Sequence, residues 1–229
     1  MKRFRALHIT LLAAVALFLF FLLFGHNFFV NRAWHDEVHT LSTGVTMLVP
    51  AGWEIPQDQL SRGYWTGTIE YTKFNINTLS STVYDRMLAW VMAWQTCRPD
   101  IIQKIYEEDF ANPELAIQQN QEKRRSRYER SNQMRAHYDP KDEALLWYEA
   151  EHTVINGVPV FSEKYVAREE DPYTRGMVNK FRWYVVFYTP KLAFRQSAHC
   201  KETDRERFEP IFETIFNSVT MPAVPNCNN

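Results

Sequence analysis

Glycine, cysteine and net charge are all in short supply, and each shortage closes off a class of function. Seven glycines occur in 229 residues. None falls in the spacing of a nucleotide-binding loop, so a glycine-built phosphate cradle is absent. The three cysteines, Cys97, Cys200 and Cys227, form no C-x-x-C pair, which excludes a dithiol redox motif or a zinc knuckle. A formal net charge of −1 lacks the basic excess of a nucleic-acid binder. There is no G-x-S-x-G elbow, no cofactor-binding motif and no internal repeat. What is present is 45% hydrophobic, 15% aromatic and 23% charged residues. That is a globular composition, neither disordered nor fibrous, and long enough for one domain plus an anchor.

The first thirty residues carry the clearest signal. Lys2, Arg3 and Arg5 form a basic tip, and Ile9 to Phe24 follows without a charge. A bilayer core needs about 20 residues of helix. His8 to Val30 meets that length if His26 and Asn27 sit among the headgroups. A cleaved signal peptide has the same basic-then-apolar order but needs small residues before the cut. Here Leu22, Leu23 and Phe24 precede Gly25, and no cysteine follows for a lipoprotein site. The expectation is an uncleaved transmembrane helix in residues 1–30. Cationic residues concentrate before the span, which keeps the N-terminus in the cytoplasm. The domain then lies outside, periplasmic, on the cell inner membrane. Without Lys2, Arg3 and Arg5 the remainder is mildly acidic.

Residues 31–43 read as a juxtamembrane linker. Within it, His35 and His39 stand four apart and could hold one metal ion from a helix face. The metalloprotease pattern, however, needs Glu directly after the first His, and Asp36 holds that place. Outside the cytoplasm disulfides are permitted. An odd number leaves one thiol over. Cys97 to Cys200 is the favoured bridge because both end core elements. Cys227, in the 223–229 tail, is then the odd one out, with Cys200 to Cys227 as the alternative.

The domain proper spans 44–222. It opens on a strand at Gly44 to Val49, and a second strand region lies in Trp65 to Ile76. Thr82 to Gln95 reads as a helix capped by Thr82, with Trp90 and Trp94 in an apolar run that is buried on two sides or offered to a partner. Residues 100–137 are helical with a break at Asn112-Pro113, since proline suits a first helical position. Asn156-Gly157 supplies the positive φ values of a two-residue hairpin turn between Leu145 to Ile155 and Val158 to Ala167. Phe181 to Thr189 is apolar on both faces, as a central strand would be, and Leu192 to His199 pairs back. Phe208, Ile211, Phe212, Ile215 and Phe216 make a helical stripe, opened by a Thr203/Glu206 capping box and interrupted by Pro210. The order predicts an α+β fold, an antiparallel sheet flanked by helices, preceded by the transmembrane helix.

Gly44-Val45-Thr46-Met47-Leu48-Val49-Pro50-Ala51-Gly52-Trp53 resembles the opening strand of PsbP-like and DcrB-like proteins. Trp183 to Tyr188 and Phe208 to Ser218 resemble their last strands and closing helix. The likeness covers about residues 44–222. It implies an antiparallel sheet between helices, and an accessory, binding or assembly role. Those proteins share no catalytic motif, so no active-site residue carries over, and Gly52, Trp53 and Phe212 are implied to be packing residues. The basic segment of about residues 100–140 is an insertion against that pattern.

Other candidate chemistry is sparse. His199 beside Cys200 would point to the opposite strand face. Glu107-Glu108-Asp109 and Glu169-Glu170-Asp171 read as solvated acids. The basic run Lys123, Arg124, Arg125, Arg127 and Arg130 reads as a solvated helix face or a contact for anionic lipid or an acidic partner. The functional expectation is a non-catalytic, membrane-anchored binding or accessory module, held in the bilayer by residues 8–30 and joined to a protein partner. The alternative is an extracytoplasmic hydrolase-like enzyme with a site assembled from scattered residues.

Overall fold

A computed structural model of the chain describes residues 35–41, 43–51, 53–54, 74–78, 89–137, 141–171 and 175–227. The expected transmembrane helix, the strand positions in 65–73 and Gly52 lie outside the described residues. No helix among the described residues is long and apolar enough to cross a membrane.

The strands are β1 (Glu37–Thr40), β2 (Thr46–Val49), β3 (Trp53–Glu54), β4 (Phe74–Thr78), β5 (Ala89–Thr96), β6 (Ala144–Ile155), β7 (Val158–Glu170), β8 (Met177–Thr189) and β9 (Leu192–Lys201). The helices are α1 (Pro99–Ile105), α2 (Pro113–Arg135) and α3 (Arg205–Asn217), and a π turn at Tyr106–Phe110 joins α1 to α2. Seven strands form one sheet in the order β3-β4-β5-β9-β8-β7-β6, and β1 and β2 pair separately. Every pairing is antiparallel. Fold class therefore agrees with the sequence reading for the described residues.

The β6–β7 hairpin turns at Asn156 (φ 50°) and Gly157 (φ 78°), as Asn-Gly requires. Asn156 Nδ2 also donates to the carbonyls of Asn217 (3.0 Å) and Val219 (2.8 Å), tying the turn to the end of α3. On β8, Phe181, Trp183, Val185 and Phe187 face one layer and Arg182, Tyr184 and Val186 the other, because strand side chains alternate. The first set joins Phe208, Phe212, Ile215 and Phe216 of α3 in the main core. Trp53 meets Phe212 edge to face at 6.4 Å, so the packing role implied for both residues holds.

Several expectations give way. The apolar run through Trp90 and Trp94 is not a helix but β5, hydrogen-bonded to β4 on one side and β9 on the other. The six apolar residues 89–94 lie within a sheet, with Ala89, Val91 and Ala93 buried, and have no helical period to obey. Residues 31–43 are not wholly a linker, since Glu37–Thr40 pairs with Thr46–Val49. A strand at Glu37–Thr40 also removes the helix face on which His35 and His39 would converge. The Thr203/Glu206 box does not form. Glu202–Asp204 is a 3-10 turn and Asp204 precedes α3 without a side-chain cap. Pro210 sits inside α3, withholding one main-chain bond.

The cysteine pairing is also corrected. Cys97 bonds Cys227 at 2.07 Å, with Cα atoms 5.8 Å apart, and Cys200 is the free, buried thiol. The register explains why. Ala89 lies opposite Cys200 and Thr96 opposite Ala193, so Cys97 and Cys200 stand at opposite ends of the β5–β9 ladder. At about 3.4 Å per residue the eight-residue offset puts them roughly 27 Å apart, against the ~7 Å a disulfide allows.

Candidate functional site

On the second face of the sheet Ile102 and Ile105 of α1 pack on Phe161, Val186 and Ala193, and α2 lies beside them across a seam rich in charged and hydrogen-bonding groups. Asn112 caps α2 by accepting from the Leu115 amide at 3.2 Å. Ala116, Asn120, Arg124, Tyr128 and Asn132 then recur every fourth residue, the row that lies along one helix flank. Asn120 Nδ2 donates to Asp109 Oδ1 at 3.2 Å. Arg124 Nη2 donates to Glu163 Oε1. Tyr128 Oη donates to Glu169 Oε1 at 2.6 Å. Asn132 exchanges two bonds with the main chain of Glu143, at 2.7 and 3.0 Å.

The sheet supplies matching groups from the alternate positions of β7 and β8. Glu163 is buried and also accepts from Tyr148 Oη at 3.1 Å. Tyr165 and Tyr184 stack at 5.9 Å, and the Arg124 guanidinium lies over both rings, 5.2 and 4.5 Å from their centres. Glu169 is gripped by Arg182 through Nε (2.9 Å) and Nη2 (2.5 Å). Burial alone would lift the Glu169 carboxyl, but Arg182 and the Tyr128 hydrogen bond outweigh it and hold the group below the usual carboxylate range. Burial, and then the charge and hydrogen bond of Glu169, push the Tyr128 hydroxyl up.

Two cavities flank this seam. One, of about 270 Å³, lies between Arg127, Ser131 and Arg135 of α2 and Arg175 beyond β7, floored by Glu143, Glu169 and Glu170. Glu170 takes Arg135 at 2.6 Å and Arg175 at 3.2 Å. The other, of about 240 Å³, is walled by Trp94, Phe161 and Tyr184 with Lys123, Asn120, Glu108, Asp109 and Arg195. Burial raises the Asp109 carboxyl despite Arg195, whose Nη2 stands 3.6 Å from Oδ2.

The sequence-derived residues therefore separate. Arg124 is spent inside the fold. Lys123, Arg125, Arg127 and Arg130 remain exposed on the outer side of α2. Trp94 lines the second cavity, and the Trp90 side chain lies outside the described residues. His35 is exposed and His39 half-buried, and no group of three or more metal-ligating side chains gathers among the described residues. His199 and Cys200 occupy opposite faces of β9. Asp109 and Asp171 are buried, which corrects the reading of both acidic runs as solvated. Glu163, Arg182 and Arg195 were missed altogether. The signal that marks the first two is alternation, Phe161-x-Glu163-x-Tyr165 against Arg182-x-Tyr184.

No protein-family model matches the chain, and no curated protein matches it. Solved structures do. The described architecture is similar to cyanobacterial PsbP (CyanoP) from Synechocystis sp. PCC 6803, with 12% identity, a TM-score of 0.50, and coverage of 84% of this chain and 95% of that one. A Bacteroides thetaiotaomicron protein matches with 11% identity and TM-score 0.42 over 82% of this chain and 49% of that one. A Pseudomonas aeruginosa protein of unknown function matches with 12% identity and TM-score 0.37 over 83% and 99%. The chain has a PsbP-like fold.

Proposed function

We propose that the protein is a single-pass, membrane-anchored accessory protein whose PsbP-like domain is extracytoplasmic, non-catalytic and docks an acidic protein partner. The observation that carries this reading is the outer face of α2. Lys123, Arg125, Arg127 and Arg130 are exposed there, and among the described residues two long, exposed ion pairs answer them, Arg125 with Glu122 at 3.6 Å and Lys123 with Glu108 at 3.9 Å. Exposed pairs of that kind contribute little to stability, so the fold makes small use of these cations. An acidic surface would use them, by steering and by charge complementarity. The apolar run of residues 8–30 supports the anchor, and the basic tip supports the orientation.

Reversing Lys123, Arg125, Arg127 and Arg130 to glutamate tests the docking face. Co-purifying protein partners at low salt are expected to fall away while the domain stays folded. Unchanged partners would refute the docking face, and loss of binding to anionic vesicles alone would assign the face to lipid. A reporter fused after Asn229 is expected to be active only outside the cytoplasm, and activity inside would refute the orientation.

A further inference from the structure

The cavity beside Trp94 holds an acid and a base that leave each other incompletely satisfied. Asp109 is buried, yet its cation Arg195 stands 3.6 Å away and Asn120 gives it one long hydrogen bond of 3.2 Å. Arg195 keeps its Nε–H buried without an acceptor. At the rim a second pair is looser still, Lys123 with Glu108 at 3.9 Å. Behind them the Arg124–Glu163 contact is close and shared with Tyr148, so that pair is spent on the fold. A buried charge without full compensation is costly, and a bound counter-charge relieves the cost. Here a buried acid and a half-buried guanidinium with one buried, unanswered N–H stand side by side, above an apolar surface of Trp94, Phe161 and Val186. The cavity volume of about 240 Å³ falls below the ~300–1,000 Å³ that houses drug-sized ligands.

We infer that this cavity binds a small zwitterion, an α-amino acid with an apolar side chain. Its ammonium group is held by Asp109 with Glu108 near, its carboxylate by Arg195 with Lys123 near, and its side chain lies against Trp94 and Phe161. The site shares only Lys123 with the exposed cations of α2, not Arg125, Arg127 or Arg130, and does not depend on where the domain resides.

The test is calorimetric titration of the full chain with L-phenylalanine and L-leucine, with 2-phenylethylamine and 3-phenylpropionate as truncated probes. Both amino acids are expected to bind, and each truncated probe at least tenfold more weakly. Asp109→Asn is expected to weaken the amino acids and the amine at least tenfold while leaving 3-phenylpropionate unchanged, and Arg195→Gln to give the reverse pattern. Should either buried variant fail to fold, the exposed changes Glu108→Gln and Lys123→Gln decide, with an expected two- to threefold loss at unaltered thermal midpoint. The inference is overturned if neither amino acid binds, if either truncated probe binds as tightly as L-phenylalanine, or if the two rim variants leave affinity unchanged.

Discussion

Arg124 and Glu163 lie 39 residues apart in the chain, and their contact joins the middle of the basic helix α2 to a buried position on β7. The guanidinium is simultaneously pressed on Tyr165 and Tyr184. One residue of a run that reads as uniformly solvated is therefore an internal fastener.

Arg124 must accordingly part company with its neighbours. Arg124→Glu leaves two buried acids facing each other, and breaking a buried pair costs about 3–5 kcal/mol. Reversal of Arg125 or Arg127, both exposed, is expected to stay within about 0.5 kcal/mol of the parent. Urea unfolding followed by circular dichroism separates the two. Equal loss in all three variants would refute the assignment.

Thiol chemistry offers a second check. Non-reducing peptide mapping is expected to recover Cys97 linked to Cys227. Burial, followed by the nearby Asp204 and Glu209 charges, pushes the Cys200 thiol up to about 12. Cys200 should therefore resist alkylation at pH 8 until the domain is unfolded. Rapid native labelling of Cys200 would contradict its placement.

The pH dependence carries a sign. Glu169 has a folded pKa below its ordinary value, so its contribution is present above about pH 4.3 and is lost as pH falls through the folded value. Asp109 runs the other way, since burial raises it. Its contribution is present at low pH and is lost as pH rises through the raised value. His199 is kept neutral by burial and by the charges of Arg182 and Lys180, so its share of acid loss begins near pH 6.5. Glu169→Gln is expected to flatten the stability curve below about pH 4.3 and leave the higher limb intact. An unchanged low-pH limb would show that Glu169 is not its source.

The hairpin turn can be dissected at Asn156. Asn156→Gly keeps the positive φ but loses both bonds to the end of α3, whereas Asn156→Ala loses the bonds and strains the turn. The expected order of stability is parent, Gly, then Ala, with about 1–2 kcal/mol for Ala. Thermal midpoints that place Ala above Gly would argue against the turn geometry.

How far the sequence reads ahead of the structure depends on whether a signal is local. Asn156-Gly157, Pro113 at a first helical position, and the double-sided run Phe181 to Thr189 each declare themselves within a few residues, and each forms as expected. The run to Trp94 misleads because a short apolar stretch has no period to separate strand from helix. The buried acids mislead for another reason. Whether Asp109 meets water is decided by α2 and β9, and no window of sequence around it contains those elements. The disulfide fails likewise, because it depends on the β5–β9 register.

The last described residues are laced into the first ones. Thr220 and Thr46 exchange main-chain bonds of 3.0 Å. The Asn226 amide bonds the Thr43 carbonyl at 3.0 Å, and Ser218 Oγ accepts from the Leu48 amide across 170 positions. During synthesis from the N-terminus, the β1–β2 hairpin therefore emerges long before the segment that fastens it. A nascent chain stalled before Ser218 carries a hairpin without its clasp, and closure of the domain waits for residues 218–226. That delay leaves the growing polypeptide open to handling by other machinery until the clasping segment arrives.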